Sequence, residues 1–287
     1  MNLLRRVIVI GASGQLGSDL MAAFADCDAS GVDHAMVDIE RPGEVAAMLA
    51  HERPSLVVNT AAYHNVERCE THADRAFAVN AVAVASLATL CAAAGIALAH
   101  ISTDYVFDGR AAQPYAEDAR PAPLNVYGIS KYAGELLLAA RLERAFLFRT
   151  SGLYGVRGSS TKGHTFVERI REQALAGKPL RIVDDVTTAP SFTRDVARKI
   201  REIVATERFG TYHVTNSGAC TWFEFATAIL SALSLEADIA PTTSDAFPAY
   251  ARRPAYSVLA NDALVRAGLE PVQSWQDGLR DYLKARG

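Results

Sequence analysis

Val7-Ile8-Val9-Ile10-Gly11-Ala12-Ser13-Gly14-Gln15-Leu16-Gly17 is the stretch on which the fold turns. Four apolar residues run into glycines at 11, 14 and 17, and a helical pattern over 16–24 begins at once. Continuous β-branched residues suit a strand buried on both faces of a parallel sheet. In the turn, Gly11 permits a tight reversal, Gly14 lets the backbone approach a pyrophosphate, and Gly17 lets the helix pack on the strand. The positive helix end attracts phosphate. Strand, glycine turn and helix in this order predict a dinucleotide-binding crevice made by Gly11, Ser13, Gly14, Gln15, Leu16 and Gly17. An acidic residue is expected about twenty residues on, where it meets a ribose hydroxyl. Asp33 follows Gly11 by 22 residues. A carboxylate there disfavours the 2′-phosphate of NADP and no arginine follows it, so the reading leans to NADH and leaves NADPH open.

Working outward, apolar runs at 56–58, 96–101 and 145–148 alternate with helical stretches at 44–52, 73–94 and 130–142. Such alternation implies right-handed crossovers, hence a Rossmann-type, doubly wound parallel α/β sheet. After Thr150 the pattern breaks. Gly152, Gly155, Gly158, Ser159, Ser160 and Gly163 crowd one loop. Helices are then expected at 165–176 and 193–206, strands at 180–183 and 212–214, and mainly helical segments at 222–233 and 263–284. We assign residues 1–150 and 191–215 to the dinucleotide-binding domain. Residues 151–190 and 216–287 form a smaller, mainly C-terminal α/β substrate lobe.

A chain of 287 residues can bury both cores. A net charge of -3 with no basic run argues against a nucleic-acid partner. The four cysteines form no CxxC pair and read as reduced, mostly buried thiols. The apolar run near Met1 is short for a signal peptide. The most apolar helical stretch, 81–94, is about fourteen residues, too short to span a bilayer. The expectation is a cytoplasmic protein with no membrane partner.

The chemistry lies in a second group. Ile101-Ser102-Thr103 ends a strand with a hydroxyl, and Tyr127-Gly128-Ile129-Ser130-Lys131 follows 24 residues later. Spacing of four puts Tyr127 and Lys131 on one helix face. A phenol of ordinary pKa about 10 is a poor proton donor near neutrality, and a neighbouring ammonium should lower that value. Lys131 can also reach a nicotinamide ribose, and Thr103 can hydrogen-bond a substrate carbonyl. Thr103, Tyr127 and Lys131 are the expected catalytic group.

Together these residues resemble the extended short-chain dehydrogenase/reductase superfamily and, within it, the dTDP-4-dehydrorhamnose reductase family. The matching strings are GASGQLG (11–17), VNTAAYHNVERCE (58–70), STDYVFDG (102–109), PLNVYGISKYAGE (123–135), RTSGLYG (149–155) and ARRPAYSVL (251–259). The resemblance implies that Asp38, Ile39, Ala61, Ala62 and Tyr63 line the cofactor and that Thr103 and Asp104 touch the sugar. It implies reduction of the C4 ketone of dTDP-4-dehydro-6-deoxy-L-mannose to dTDP-L-rhamnose, with hydride from NADPH or NADH and a proton from the tyrosine. A related NDP-4-keto sugar, or a cofactor-binding regulatory subunit without turnover, stay open as alternatives. A homodimer is compatible with the resemblance. So is a Mg2+ ion, for which no residue is located.

Two departures stand out. Gly152 occupies a position where the family often carries a Trp that covers the substrate, and a longer loop, 156–164, follows; the family's DQ pair is Asp185-Val186. Arg253 is a candidate diphosphate clamp. The seven histidines lack metal-binding spacing, so no protein-ligated metal is predicted. Trp222 and Phe225 read as core, and Glu67, Arg68 and Glu70 as a solvated turn.

Overall fold

Side-chain alternation along buried strands builds the centre of the molecule, which a computed structural model describes for residues 2–158, 165–247 and 249–287. The strands are β1 (Arg6–Ile10), β2 (Asp28–Val32), β3 (Leu56–Asn59), β4 (Ala97–Thr103), β5 (Ala145–Thr150) and β6 (Gly210–His213). All pair in parallel, in the order β2-β1-β3-β4-β5-β6. Val7, Val9, Leu56 and Val58 face one core, shared with helices Gln15–Ala23 and Thr193–Ala205. Ile8, Ile10, Val57 and Leu98 face the other, with helices Pro42–Glu52 and Ala83–Ala94. The strands are apolar throughout because each of their faces is a core. Each such side chain contributes about 1.5–3 kcal/mol on burial. The chain leaves β1 for β2 on one side, then crosses to β3 on the other. Ligands of open α/β sheets bind outside the strand ends at such a reversal.

Two helices and one apolar length differ from expectation; the helix over 73–94 itself stands where it was expected. The helix over Ala73–Ala94 runs 22 residues, with a π turn at Ala78–Val82. By length and composition it is enough to cross a membrane, longer than the fourteen-residue stretch read from sequence. Here it packs against helices Pro42–Glu52 and Val126–Ala139. The Tyr127 helix starts at Val126 rather than 130, because Asn125 caps the Gly128 N–H (2.8 Å) and Glu70 accepts from the Val126 N–H (2.8 Å). The expected helical run 263–284 is two helices, Asp262–Arg266 and Trp275–Arg286, broken where Pro271 supplies no N–H.

A third core gathers Tyr154, Phe192, Phe225, Trp275 and Tyr282 beneath helices Phe166–Leu175 and Trp222–Ala232. Leu180–Val183 pairs there with Ile239–Thr242. Part of the loop expected at 156–164, and with it Ser159, Ser160, Gly163 and His164, lies outside the described residues.

Candidate active site

One cleft of about 1260 Å³ runs from the glycine turn across the end of β4 to the third core. That exceeds the roughly 300–1,000 Å³ usual for one small ligand. Its lining includes every residue expected at the site, from Gly11 and Ser13–Gly17 through Asp33, Asp38, Ile39, Ala61–Tyr63, Thr103 and Asp104 to Tyr127 and Lys131, with one exception. The exception is Arg253. It pairs with Glu67 at 2.7 Å, and Glu67 also accepts from the Tyr250 and Ala251 N–H groups. Glu67 is therefore no solvated turn residue; it anchors the 250–253 loop.

The turn fits a dinucleotide phosphate. A Cβ at Gly17 would stand 2.0 Å from the Gly11 carbonyl oxygen, so only glycine lets the helix start this close to the turn. No side chain caps that helix, whereas Asn65, Asn125, Thr165, Thr221 and Ser274 cap five others. Its first N–H groups stay available to an anion. Asp33 is partly spent on the turn itself: one oxygen accepts from the Ser13 N–H (2.8 Å) and hydroxyl (2.7 Å). Those bonds hold its carboxyl below the usual range.

At the floor, Lys131 is 1 % exposed and donates to the Ile101 carbonyl at 2.6 Å. Burial pulls its ammonium down to about 8, with Glu135 acting the other way. The lowered phenol expected from sequence is not found. Burial pushes Tyr127 above its ordinary value, and a hydrogen bond with Thr103 only partly offsets this. The cause is desolvation, and the neighbouring Asp104 carboxyl pushes in the same direction. A protonated phenol is nonetheless the form a proton donor needs.

Behind the floor lies a hydroxyl–carboxyl chain that joins the two cores. Thr103 donates to Asp104 (2.9 Å), Ser151 donates to the other Asp104 oxygen (3.0 Å), and Ser151 meets Thr188 (2.8 Å), which accepts from Ser257 (3.4 Å). Burial raises the Asp104 carboxyl to about 6 against hydrogen bonds from Ser257, Thr103 and Ser151. Deeper still, Arg149 is paired with Glu135 at 2.7 Å. Sequence reasoning missed Ser151, Thr188 and Ser257, which lie far apart in the chain. It also missed Asn80, fully buried in the π turn, whose amide bonds both the N–H (2.8 Å) and carbonyl (3.0 Å) of Tyr63. A π turn is a frequent mark of a functional site. Trp222, read as core, is half-buried on the cleft wall; Phe225 is core and also reaches the cleft.

Gly152 has φ +55°, and a Cβ there would stand 3.1 Å from the Pro190 Cα. Val186 lines the cleft, while Asp185 accepts from the Ser244 N–H at 2.9 Å. Among the described residues no group of three or more His, Cys, Asp or Glu side chains is arranged to hold a metal ion.

A parallel sheet with a glycine turn at its reversal, and a Thr–Tyr–Lys group on the cleft floor, define an oxidoreductase of the extended short-chain superfamily. The family model described as the RmlD substrate binding domain matches residues 5–286. The chain is 37% identical over 283 residues to the spore coat polysaccharide biosynthesis protein SpsK of Bacillus subtilis, covering 98% of each chain. It is 36% identical over 291 residues to dTDP-4-dehydrorhamnose reductase of Streptomyces griseus, covering 98% of this chain and 93% of that one. The crystal structure of dTDP-4-dehydrorhamnose reductase from Bacillus anthracis, in complex with NADP, superposes with a TM-score of 0.93 at 34% identity, covering 98% and 99%. The chain belongs to the dTDP-4-dehydrorhamnose reductase family and is an NAD(P)H-dependent oxidoreductase.

Proposed function

We propose that this cytoplasmic protein reduces the C4 ketone of a nucleotide-linked 4-keto-6-deoxy sugar, converting dTDP-4-dehydro-L-rhamnose to dTDP-L-rhamnose. Residues 1–150 and 191–215 hold the dinucleotide, and residues 151–190 and 216–287 hold the sugar nucleotide. The observation that carries this reading is the joining of Thr103, Tyr127 and Lys131 to the uncapped glycine turn within one cleft. A bound NADPH or NADH supplies a hydride for C4. Thr103 turns its single hydroxyl hydrogen from Asp104, where it rests at 2.9 Å, to the ketone oxygen. Tyr127 gives that oxygen its proton, so ketone plus hydride plus proton yields a secondary alcohol. In its ammonium form Lys131 holds the ribose and offsets the charge left on the phenol. Asp33 pins Ser13 and keeps the turn open to phosphate. Arg253 joins as a diphosphate contact when its pair with Glu67 opens.

The test is the fall of nicotinamide absorbance when dTDP-4-dehydrorhamnose is added to the protein with each reduced dinucleotide. Turnover is the expected result; none with this or any related NDP-4-keto sugar would refute the proposal. A related sugar is the specific second reading, because Gly152 puts no aromatic ring at its own position in that wall.

A further inference from the structure

His100 lies behind the catalytic group, fully buried on β4, and no part of the reaction above uses it. Its Nε2 stands 3.2 Å from the Lys131 Nζ, and its Nδ1 stands 3.2 Å from the Asn59 Nδ2. The direction of these bonds follows from one that cannot be reversed. The Ala61 N–H only donates, and it meets the Asn59 Oδ1 at 3.1 Å. The amide nitrogen of Asn59 therefore faces His100 and donates to Nδ1. Burial by itself holds the imidazole far below its ordinary pKa, so the ring is neutral. A neutral ring that accepts at Nδ1 carries its hydrogen on Nε2. That hydrogen points at the Lys131 nitrogen, which can accept only as a free amine. The same amine donates one hydrogen to the Ile101 carbonyl.

We propose that His100 is a positioning residue for Lys131: with Asn59 fixing its tautomer, it latches the neutral amine and releases the side chain when the amine takes up a proton. An ammonium would set N–H against N–H across that contact, and the ring cannot turn its acceptor to Lys131 without breaking the bond to Asn59. The latch thus favours the uncharged lysine. The charged group that acts on Lys131 is Glu135 on its own helix, whose carboxylate pairs with Arg149 of β5, while Asn59 of β3, behind the ring, is uncharged. The consequence for catalysis rests on Lys131 serving the reaction, while the latch itself does not.

The experiment uses the full chain labelled with 13C at the lysine Cε; the sequence has five lysines, and Lys131→Arg assigns the signal. In the wild type Lys131 should titrate well below the surface lysines. In His100→Leu burial remains but the latch is gone, so the midpoint should rise by about one pH unit. His100→Gln, whose amide can again donate to the amine, should bring it back. Asn59→Leu frees the ring to present an acceptor and should also raise the midpoint, which tests the idea if His100→Leu does not fold. An unmoved midpoint in a folded His100→Leu or Asn59→Leu variant, or a wild-type Lys131 that titrates with the surface lysines, overturns the latch. A fully active Lys131→Arg would instead count against the catalytic role and leave the latch standing.

Discussion

The two walls of the cleft are made in different ways. One is the edge of the parallel sheet: Gly11 and Ser13–Gly17 after β1, Asp33 after β2, Ala61–Tyr63 after β3, Thr103 at the end of β4. Each of its positions is set within a few residues of a buried strand. The other wall is assembled from Gly152–Tyr154, Thr165–Phe166, Val186, Thr188, Trp222 and Ser257. These come from separate segments joined by pairings as short as Thr187–Thr188 on Cys220–Thr221. In the proposed reading the first wall carries chemistry common to many substrates, and the second would meet the sugar nucleotide. Reaction class therefore reads more easily than substrate here, since the local rules act on the wall that decides the class.

The largest break in this contrast comes on the first wall. Tyr127→Phe should lower kcat by roughly 10²–10⁴-fold, the worth of a positioned proton donor, while dinucleotide affinity measured by fluorescence titration stays near wild type. Comparable loss of both would mean that the phenol supports the wall rather than the reaction. Next is the ion pair beneath that wall. Glu135→Ala leaves the Arg149 guanidinium buried without its carboxylate and should cost about 3–5 kcal/mol in urea unfolding. A cost near that of a surface pair would show the site to be wetter than its burial indicates.

The same division governs what was legible beforehand. The strand–turn–helix at Val7–Gly17 and the Tyr127–Lys131 spacing are local patterns, and the structure has them where they were expected. The depressed Tyr127 phenol was a local inference too, and it failed because burial is a property of the whole fold. Glu67 and Glu70 read as solvated because nothing nearby in the sequence needs a carboxylate. Their partners, Arg253 and the Val126 N–H, lie 186 and 56 residues away. The helix break at Pro271 was available from a known rule and was overlooked. The buried chain Asp104–Ser151–Thr188–Ser257 had no local signal, since serines and threonines are common everywhere.

That chain is where the walls meet, and it gives a pH test. The folded Asp104 carboxyl, raised to about 6, binds its proton more tightly than the unfolded one. Its contribution to stability is full below about pH 4 and is lost as the pH rises through 6, a swing of about 3 kcal/mol. Asp104→Asn cannot ionise, so its stability relative to wild type should increase between pH 4 and 7 in paired thermal melts. A difference that stays flat across that window would mean the carboxyl is solvated, and the two walls would then not be joined through a buried acid.

The smallest effect should fall on the second wall, at Gly152. Its φ of +55° lies where a side chain costs about 1–2 kcal/mol, and the Pro190 backbone stands 3.1 Å from the place a Cβ would take. Gly152→Ala should therefore lower stability by about that amount, while dinucleotide affinity remains unchanged. Its kinetic effect should be confined to KM for the sugar nucleotide, because Gly152 lines the cleft but belongs to no bond within the Thr103–Tyr127–Lys131 group. An aromatic residue here would meet the same backbone strain, so Gly152→Trp alone should not produce a well-seated cover over the sugar. Pro190 and Gly152 act as a pair: the proline closes the space that a side chain at 152 would need. If Gly152→Ala lowers kcat while KM holds, the second wall takes part in the chemistry and the division between the walls is wrong.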